Sequence, residues 1–274
     1  MDEVNSRLLA PDEPPAFAVE HAQGRSPFFL SAEHAGNQLP RRLGDLGLGP
    51  LERERHIAWD IGIAELSRLL ADRLDAFLIL QIYSRLVIDC NRSPGVDSSI
   101  VTLSELTPIP GNRHLDPGER EQRVREIFAP YHDRIAAELD HRMRARIPTV
   151  LIAMHSFTPA FKGVSRPWHI GVLYNRDPRF GQIFLNLLRA EGDLVVGDNE
   201  PYSISDETDY TIPVHGERRG IPHVELEIRQ DLILDAAGQT AWADRLARLL
   251  PIAYDRLGSS IQSHPTGGEA TRPG

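Results

Sequence analysis

Polar residues with chemical capacity gather at the ends of three apolar runs. "SPFFLSAEH" ends in Glu33 and His34, "RLVIDCNR" in Asp89, Asn91 and Arg92, and "VLIAMHSF" in His155 and Ser156. A single histidine after a strand is more often a hydrogen-bonded core residue. Two histidines and an acid delivered to one rim point toward a metal. A hydrolytic zinc takes three nitrogen or oxygen ligands, leaves a fourth place for water, and brings the pKa of that water down to roughly 7. Amide hydrolysis then needs a carboxylate to take the proton and pass it to the leaving nitrogen. "HVELEIRQ" offers candidates, because alternation sets Val224, Leu226 and Ile228 on one face and Glu225, Glu227 and Arg229 on the other. A wet face on an antiparallel strand would explain that pattern blandly. In a central strand, a buried Glu is costly unless it is paired or working.

Asn91 and Arg92 suit a different task. A planar guanidinium matches a carboxylate in a two-point fork, so the pair could clamp a substrate carboxylate, with Asp89 bracing the loop or the guanidinium. The plain alternative is a turn, "CNRSPG", with Arg92 in a structural salt bridge.

These groups need elements that carry them to one place. "AFLILQIY", "RLVIDC", "TVLIAMHSF", "HIGVLY", "DLVVG" and "HVELEI" read as strands, as does the run before His34. Helical spacing spans "RERHIAWDIGIAELSRLLADRL", "FGQIFLNLLRAEG" and "TAWADRLARLLPIAYDRL". "DPGEREQRVREIFAPYHDRIAAELDHRMRAR" opens with Asp116 as cap and Pro117 at the first position, and Pro130 should kink or break it. The alternation predicts an α/β fold, a three-layer α/β/α sandwich with a mixed, mostly parallel sheet. In such sheets, sites form at the carboxyl ends of the strands.

The chain has 274 residues, 41% hydrophobic and 25% charged, with a net charge of −9. That is ordinary for one globular domain, placed at 26–257, after an irregular lead-in at 1–25 and before a tail at 258–274 whose composition predicts disorder. No basic block suggests nucleic acid. No signal pattern or membrane-length apolar run is present, so a cytoplasmic protein is expected. Cys90 is the only cysteine, which excludes an internal disulfide and a cysteine metal cage and fits a small buried strand residue. Ser156 directly follows His155 and there is no Gly-x-Ser-x-Gly elbow, which disfavours a serine hydrolase. "RRLGDLGLGP" lacks the spacing of a dinucleotide loop.

"SAEHAGNQLP", "HIAWDIG", "YSRLVIDCNR", "PYH", "HSFTP", "NEPYS" and "VELEIRQ", taken in order, resemble the N-formylglutamate amidohydrolase family over roughly residues 31–230. That family is similar in fold to zinc carboxypeptidases and to the aspartoacylase and succinylglutamate desuccinylase group, so the resemblance implies a zinc-exopeptidase-like (phosphorylase/hydrolase-like) fold. It also implies zinc on His34 and His155. Where the carboxypeptidase-like relatives carry a Glu, three places after the first histidine, this chain has Asn37. The third ligand is then Asp60 of the Asp-x-Gly element, with Glu33 or a water as alternatives. By the same resemblance Asn91 and Arg92 grip a substrate carboxylate, and Arg85 sits where a second carboxylate or oxyanion contact arises. Glu227 is the general base, a register that Glu225 does not share. His215 is expected to stabilise an oxyanion from a loop over the site, and Asn199 and Tyr202 to line the pocket; His132, in "PYH", reads plainly as a helix residue bonded to a carbonyl.

The expected activity is hydrolysis of the amide of a small-molecule N-acyl amino acid, with N-formyl among the candidate acyl groups. A metallo-carboxypeptidase-like hydrolase and a non-catalytic binding protein of the same fold are the rivals, and the oligomeric state is left open. One departure bears on the substrate. The deformylases of histidine breakdown carry a Gly-Gly segment after the Asn near this region, where this chain reads "NEPYSISDETDYT", with Glu200, Asp206, Glu207 and Asp209. So acidic a loop points away from a dicarboxylate and toward a substrate with a cationic or polar portion.

Overall fold

The computed structural model describes residues 7–262. In chain order its elements are β1 (Phe17–Glu20), β2 (Phe28–Ala32), the one-turn α1 (Pro50–Arg53), α2 (Ile63–Leu74), β3 (Phe77–Gln81), a hairpin of β4 (Leu103–Ser104) and β5 (Thr107–Pro108), α3 (Pro117–Arg123) and α4 (Ala129–Ala145). Then follow β6 (Val150–Phe157), a second hairpin of β7 (Ala160–Phe161) and β8 (Val164–Ser165), β9 (Ile170–Leu173), α5 (Arg179–Ala190), β10 (Val196–Asp198), β11 (His223–Arg229) and α6 (Ala236–Gln262).

The main sheet runs β1-β3-β2-β6-β11-β9-β10. Its centre, β3-β2-β6-β11, is parallel throughout; β1 pairs antiparallel with β3, and β9 antiparallel with β11. Every residue of β2, β3 and β6 is buried, as strands covered on both faces require. Side-chain alternation divides the interior in two. Leu30, Leu78, Ile152 and Leu226 face a core closed by α2, α5 and α6. Phe29, Ile79 and Leu151 face a second core closed by α4 through Tyr131, Ile135 and Leu139. His155, Glu225 and Glu227 share the strand parity of this second face. The expected three-layer sandwich with a mixed, mostly parallel sheet is the architecture found.

Some elements differ from the expectation. "RLVIDC" is buried but lies in turns outside the sheet: Val87 N–H bonds Ser84 O and Asp89 N–H bonds Ser99 O. A short buried apolar run has no periodicity to separate strand from turn. The helix expected from residue 53 starts only at Ile63, because Gly62 holds φ +80° and breaks the helical path. The lead-in at 1–25 carries β1, a half-buried four-residue edge strand too short to show alternation. The interruption expected at Pro130 takes the form of a π-turn over Val124–Phe128, just ahead of the residue that lacks an N–H. Of the tail at 258–274, residues 258–262 continue α6, and the remainder lies outside the described residues. No helix among the described residues is long and apolar enough to cross a membrane.

Candidate metal centre and cavity

β2 and β6 lie side by side and end at the same edge, so His34 and His155 meet there with ring centroids 4.9 Å apart. Asp60 joins them from the turn ahead of α2, its backbone N–H donating to His34 O at 2.9 Å. All three side chains are buried, and each offers one ligand atom within 4.8 Å of the others. Asp60 Oδ2 lies 3.5 Å from His34 Nδ1 and 3.0 Å from His155 Nδ1. Zinc bonds of about 2.0–2.1 Å in a tetrahedron place ligand atoms roughly 3.3 Å apart, which the two edges from Asp60 match, and the three side chains could hold one ion.

The far ring nitrogens carry the same message. His34 Nε2 donates to Asp89 Oδ1 at 2.7 Å, and His155 Nε2 lies 3.0 Å from Glu33 Oε2. A carboxylate on the outer nitrogen fixes a ligating imidazole's tautomer and direction. His34 Nδ1, buried and aimed at the centre, has no hydrogen-bond partner among the described residues. Buried polar atoms are normally paired, so an orphan here fits the ligand atom of a cation. Glu33, the alternative third ligand, therefore sits behind His155. Burial would push its carboxyl up, but His155 and the Thr211 hydroxyl hold it down to about 2.

Asp89 answers for the polar cluster after "RLVI". Its Oδ1 accepts from His34 and from Asn91 N–H, and its Oδ2 accepts from Arg85 Nε at 3.1 Å and Nη2 at 2.6 Å. Burial opposes its charge, yet Arg85 and His34 keep the carboxyl well below the usual range. Arg85 is thus anchored beside the centre, with Nη1 3.6 Å from Asp60 Oδ1. Asn91 lies on the cavity wall beside Arg92, and its amide also has a structural task. Its Oδ1 accepts from the N–H groups of Tyr210 and Thr211 and its Nδ2 donates to Asp209, so the amide pins the 209–211 segment. Arg92 is less tightly held: it donates to Asn91 O and lies 3.8 Å from Asp209.

The cluster opens into a cavity of about 530 Å³ whose wall includes Arg85, Arg92, Asn199, Tyr202, Glu225 and Glu227. Glu227 stands level with His155 in the β11–β6 register, and burial pushes its carboxyl up to about 8. Glu225, two residues deeper on the same face, also reaches the cavity, and burial raises it well above the usual carboxylate range. The expectation gave a role to Glu227 alone, yet strand parity puts both acids on the face that meets the cavity. Asn199 holds φ +53° and accepts from Tyr174 N–H, while the Tyr202 hydroxyl accepts from Arg166.

His215 is not part of the cavity wall. It lies in a π-turn (Ile212–Gly216), buried, with Nε2 3.0 Å from His132 Nδ1. The expected loop over the site is instead packed into the second core. His132 does bond a carbonyl, Cys90 O at 2.7 Å, and Cys90 itself is buried. The acidic loop also changes meaning. Asp206 pairs with Arg176, Glu207 is absent from the cavity wall, and Glu200 and Asp209 line it, Asp209 held by Asn91, Ser205 and Thr208.

A mixed α/β sandwich with a buried His–Asp–His group at the carboxyl ends of its parallel strands defines a class of protein able to hold a metal ion beside a cavity. Within that class the match is particular: residues 26–234 fit the N-formylglutamate amidohydrolase family, and the chain belongs to it. The crystal structure of gene product Atu2144 from Agrobacterium tumefaciens is 37% identical, with a TM-score of 0.88 over 93% of this chain and 100% of that one. The crystal structure of N-formylglutamate amidohydrolase from Ralstonia eutropha shares the fold at 19% identity, with a TM-score of 0.66 over 89% of this chain and 100% of that one. An N-formylglutamate deformylase from Pseudomonas putida is 32% identical over 142 residues, 47% of this chain and 51% of that protein. The chain thus spans about half the length of that curated relative.

Proposed function

We propose that this protein is a zinc-dependent amidohydrolase that cuts the amide of an N-acyl amino acid, N-formyl derivatives among them. The observation that carries the reading is the His34–Asp60–His155 group, with Asp89 and Glu33 on the two outer ring nitrogens, beside the buried carboxylate of Glu227. Zinc held by that group supplies Lewis acidity toward the amide carbonyl and acidifies a water to a pKa of about 7.

The chain's residues do the rest. Arg92, with Arg85 beside it, receives the substrate carboxylate and orients the amide toward the histidines. Glu227 accepts the proton of the attacking water at its carboxylate oxygen and delivers it to the amide nitrogen. The C–O bond forms, the C–N bond breaks, and the products are a carboxylate and a free amino acid. A carboxyl pushed up toward neutrality by burial is suited to take and return a proton in one turnover.

The test joins metal content to turnover. Protein purified without a metal-binding tag should hold near-stoichiometric zinc, lost in His155→Ala, and should hydrolyse N-formyl amino acids in preference to dipeptides. Glu227→Gln should keep the zinc and lower kcat by roughly 100- to 10,000-fold. Failure to take up zinc, or full activity in Glu227→Gln, would remove the reading.

A further inference from the structure

We propose that the cavity continues past Arg85, Arg92 and Tyr202 into a side-chain subsite that selects a hydrogen-bond-donating or cationic amino-acid side chain over a carboxylate. This rests on the amidohydrolase reading. A second cavity of about 210 Å³, room for a single side chain, adjoins the first, and these three residues line both. A substrate whose carboxylate rests on Arg92 has its amide on the histidine side of that wall. Its side chain, on the same carbon as both groups, then has the second cavity to enter.

Charge decides what fits there. The cations facing the second cavity are the two shared arginines at its entrance, and Arg85 is already bound by Asp89. The far side presents Glu105 and His56, with Phe161 and Tyr202 as aromatic wall. Glu105 is 13% exposed and held by Arg55 Nη2 at 2.6 Å and His56 Nε2 at 3.2 Å. Arg55 grips it from outside, since it lines a neighbouring surface pocket and not this cavity. A second carboxylate on the substrate would face this acid. A lysine, histidine or glutamine side chain would meet an acceptor at its tip and ring faces along its stem.

The positions are built rather than incidental. Glu105 holds φ +52° at the first residue of the β4–β5 turn, a conformation that favours glycine, and its side chain folds back onto Arg55 and His56. Across the cavity, buried Arg166 lies 4.8 Å from both the Phe161 and Tyr202 ring centroids and donates to the Tyr202 hydroxyl. It ties the β7–β8 hairpin to the 199–203 segment and fixes the aromatic wall.

The experiment compares N-formyl-lysine, N-formylglutamine and N-formylglutamate on the zinc-loaded enzyme, together with calorimetric binding of free lysine, glutamine and glutamate. Wild type should favour the lysine and glutamine compounds by about tenfold or more in kcat/KM, and Glu105→Lys should reverse the order. Glu105→Gln, which preserves shape, should narrow the lysine preference and decides the matter if the lysine variant fails to fold. Preference of wild type for N-formylglutamate, or an order indifferent to Glu105, overturns the subsite. If none of the compounds is cut while lysine binding still depends on Glu105, the subsite stands and the amidohydrolase reading falls.

Discussion

Asp89 touches three groups at once: the outer nitrogen of His34, the guanidinium of Arg85 and the backbone of Asn91. Glu33 faces His155 by charge, its Oε2 3.0 Å from Nε2 outside hydrogen-bond geometry, with Thr211 donating at 2.8 Å to its other oxygen. These carboxylates aim the imidazoles, and the consequence is measurable. Glu33→Gln retains an acceptor for Thr211 but removes the charge facing His155, so zinc affinity should fall roughly 10- to 100-fold. Competition against a chromophoric chelator would read it; unchanged affinity would show that Glu33 does not brace the ligand. His34 and His155 were legible in the sequence because each ends an apolar run, and Asp60 through the family resemblance. The bracing by Glu33 was not, because it depends on which way an imidazole ring faces. Asn91 was legible only in part for a related reason: sequence gives the amide on the rim, not the backbone N–H groups that occupy its oxygen.

At the scale of elements, the centre depends on turns as much as on strands. Gly36 and Gly62 each follow a candidate ligand by two residues. A Cβ on Gly36 would stand 1.9 Å from Ile82 O, and one on Gly62 2.2 Å from Ile233 O. Gly62 also holds φ +80° at the start of α2. Gly192 has the same φ, but a Cβ there would meet nothing within 4 Å, so it isolates the backbone cost. Gly192→Ala should lose about 1–2 kcal/mol. Gly62→Ala should lose more in urea unfolding and should bind zinc more weakly, because the contact with Ile233 displaces Asp60. Equal losses at the two positions would mean that the turn yields freely. The strands carrying His34 and His155 could be read as apolar runs, that of Glu227 from alternation, and the helices α5 and α6 from helical spacing. β1 and the turns of "RLVIDC" could not, since one is too short and the other is buried without being regular.

For the whole molecule, the sheet separates an apolar layer under α2, α5 and α6 from a layer under α4 that contains ionisable groups. His132 and His215 lie in the latter, packed with Phe128 and Tyr210. Because His132 Nε2 must donate to the Cys90 carbonyl, its Nδ1 accepts from His215 Nε2–H, which leaves His215 Nδ1 bare and buried. Burial lowers His132 to about 4 and His215 to about 3, against an ordinary value of 6.5. Below pH 6.5 the unfolded chain takes up protons at these sites that the native chain refuses, so stability is full above 6.5 and falls with acid by roughly 1 kcal/mol per pH unit per histidine. Glu227, raised to about 8, pulls in the opposite sense over the same range, because its native form binds the proton more tightly than the unfolded chain. The difference between wild type and His215→Gln isolates the histidine. Gln can still donate to His132 Nδ1 but does not titrate. From pH 6.5 down to 4.5 the variant should therefore lose roughly 1 kcal/mol per pH unit less than wild type in urea unfolding. Parallel curves would mean that the pair accepts a proton while folded, and that this layer opens to water more readily than its packing implies.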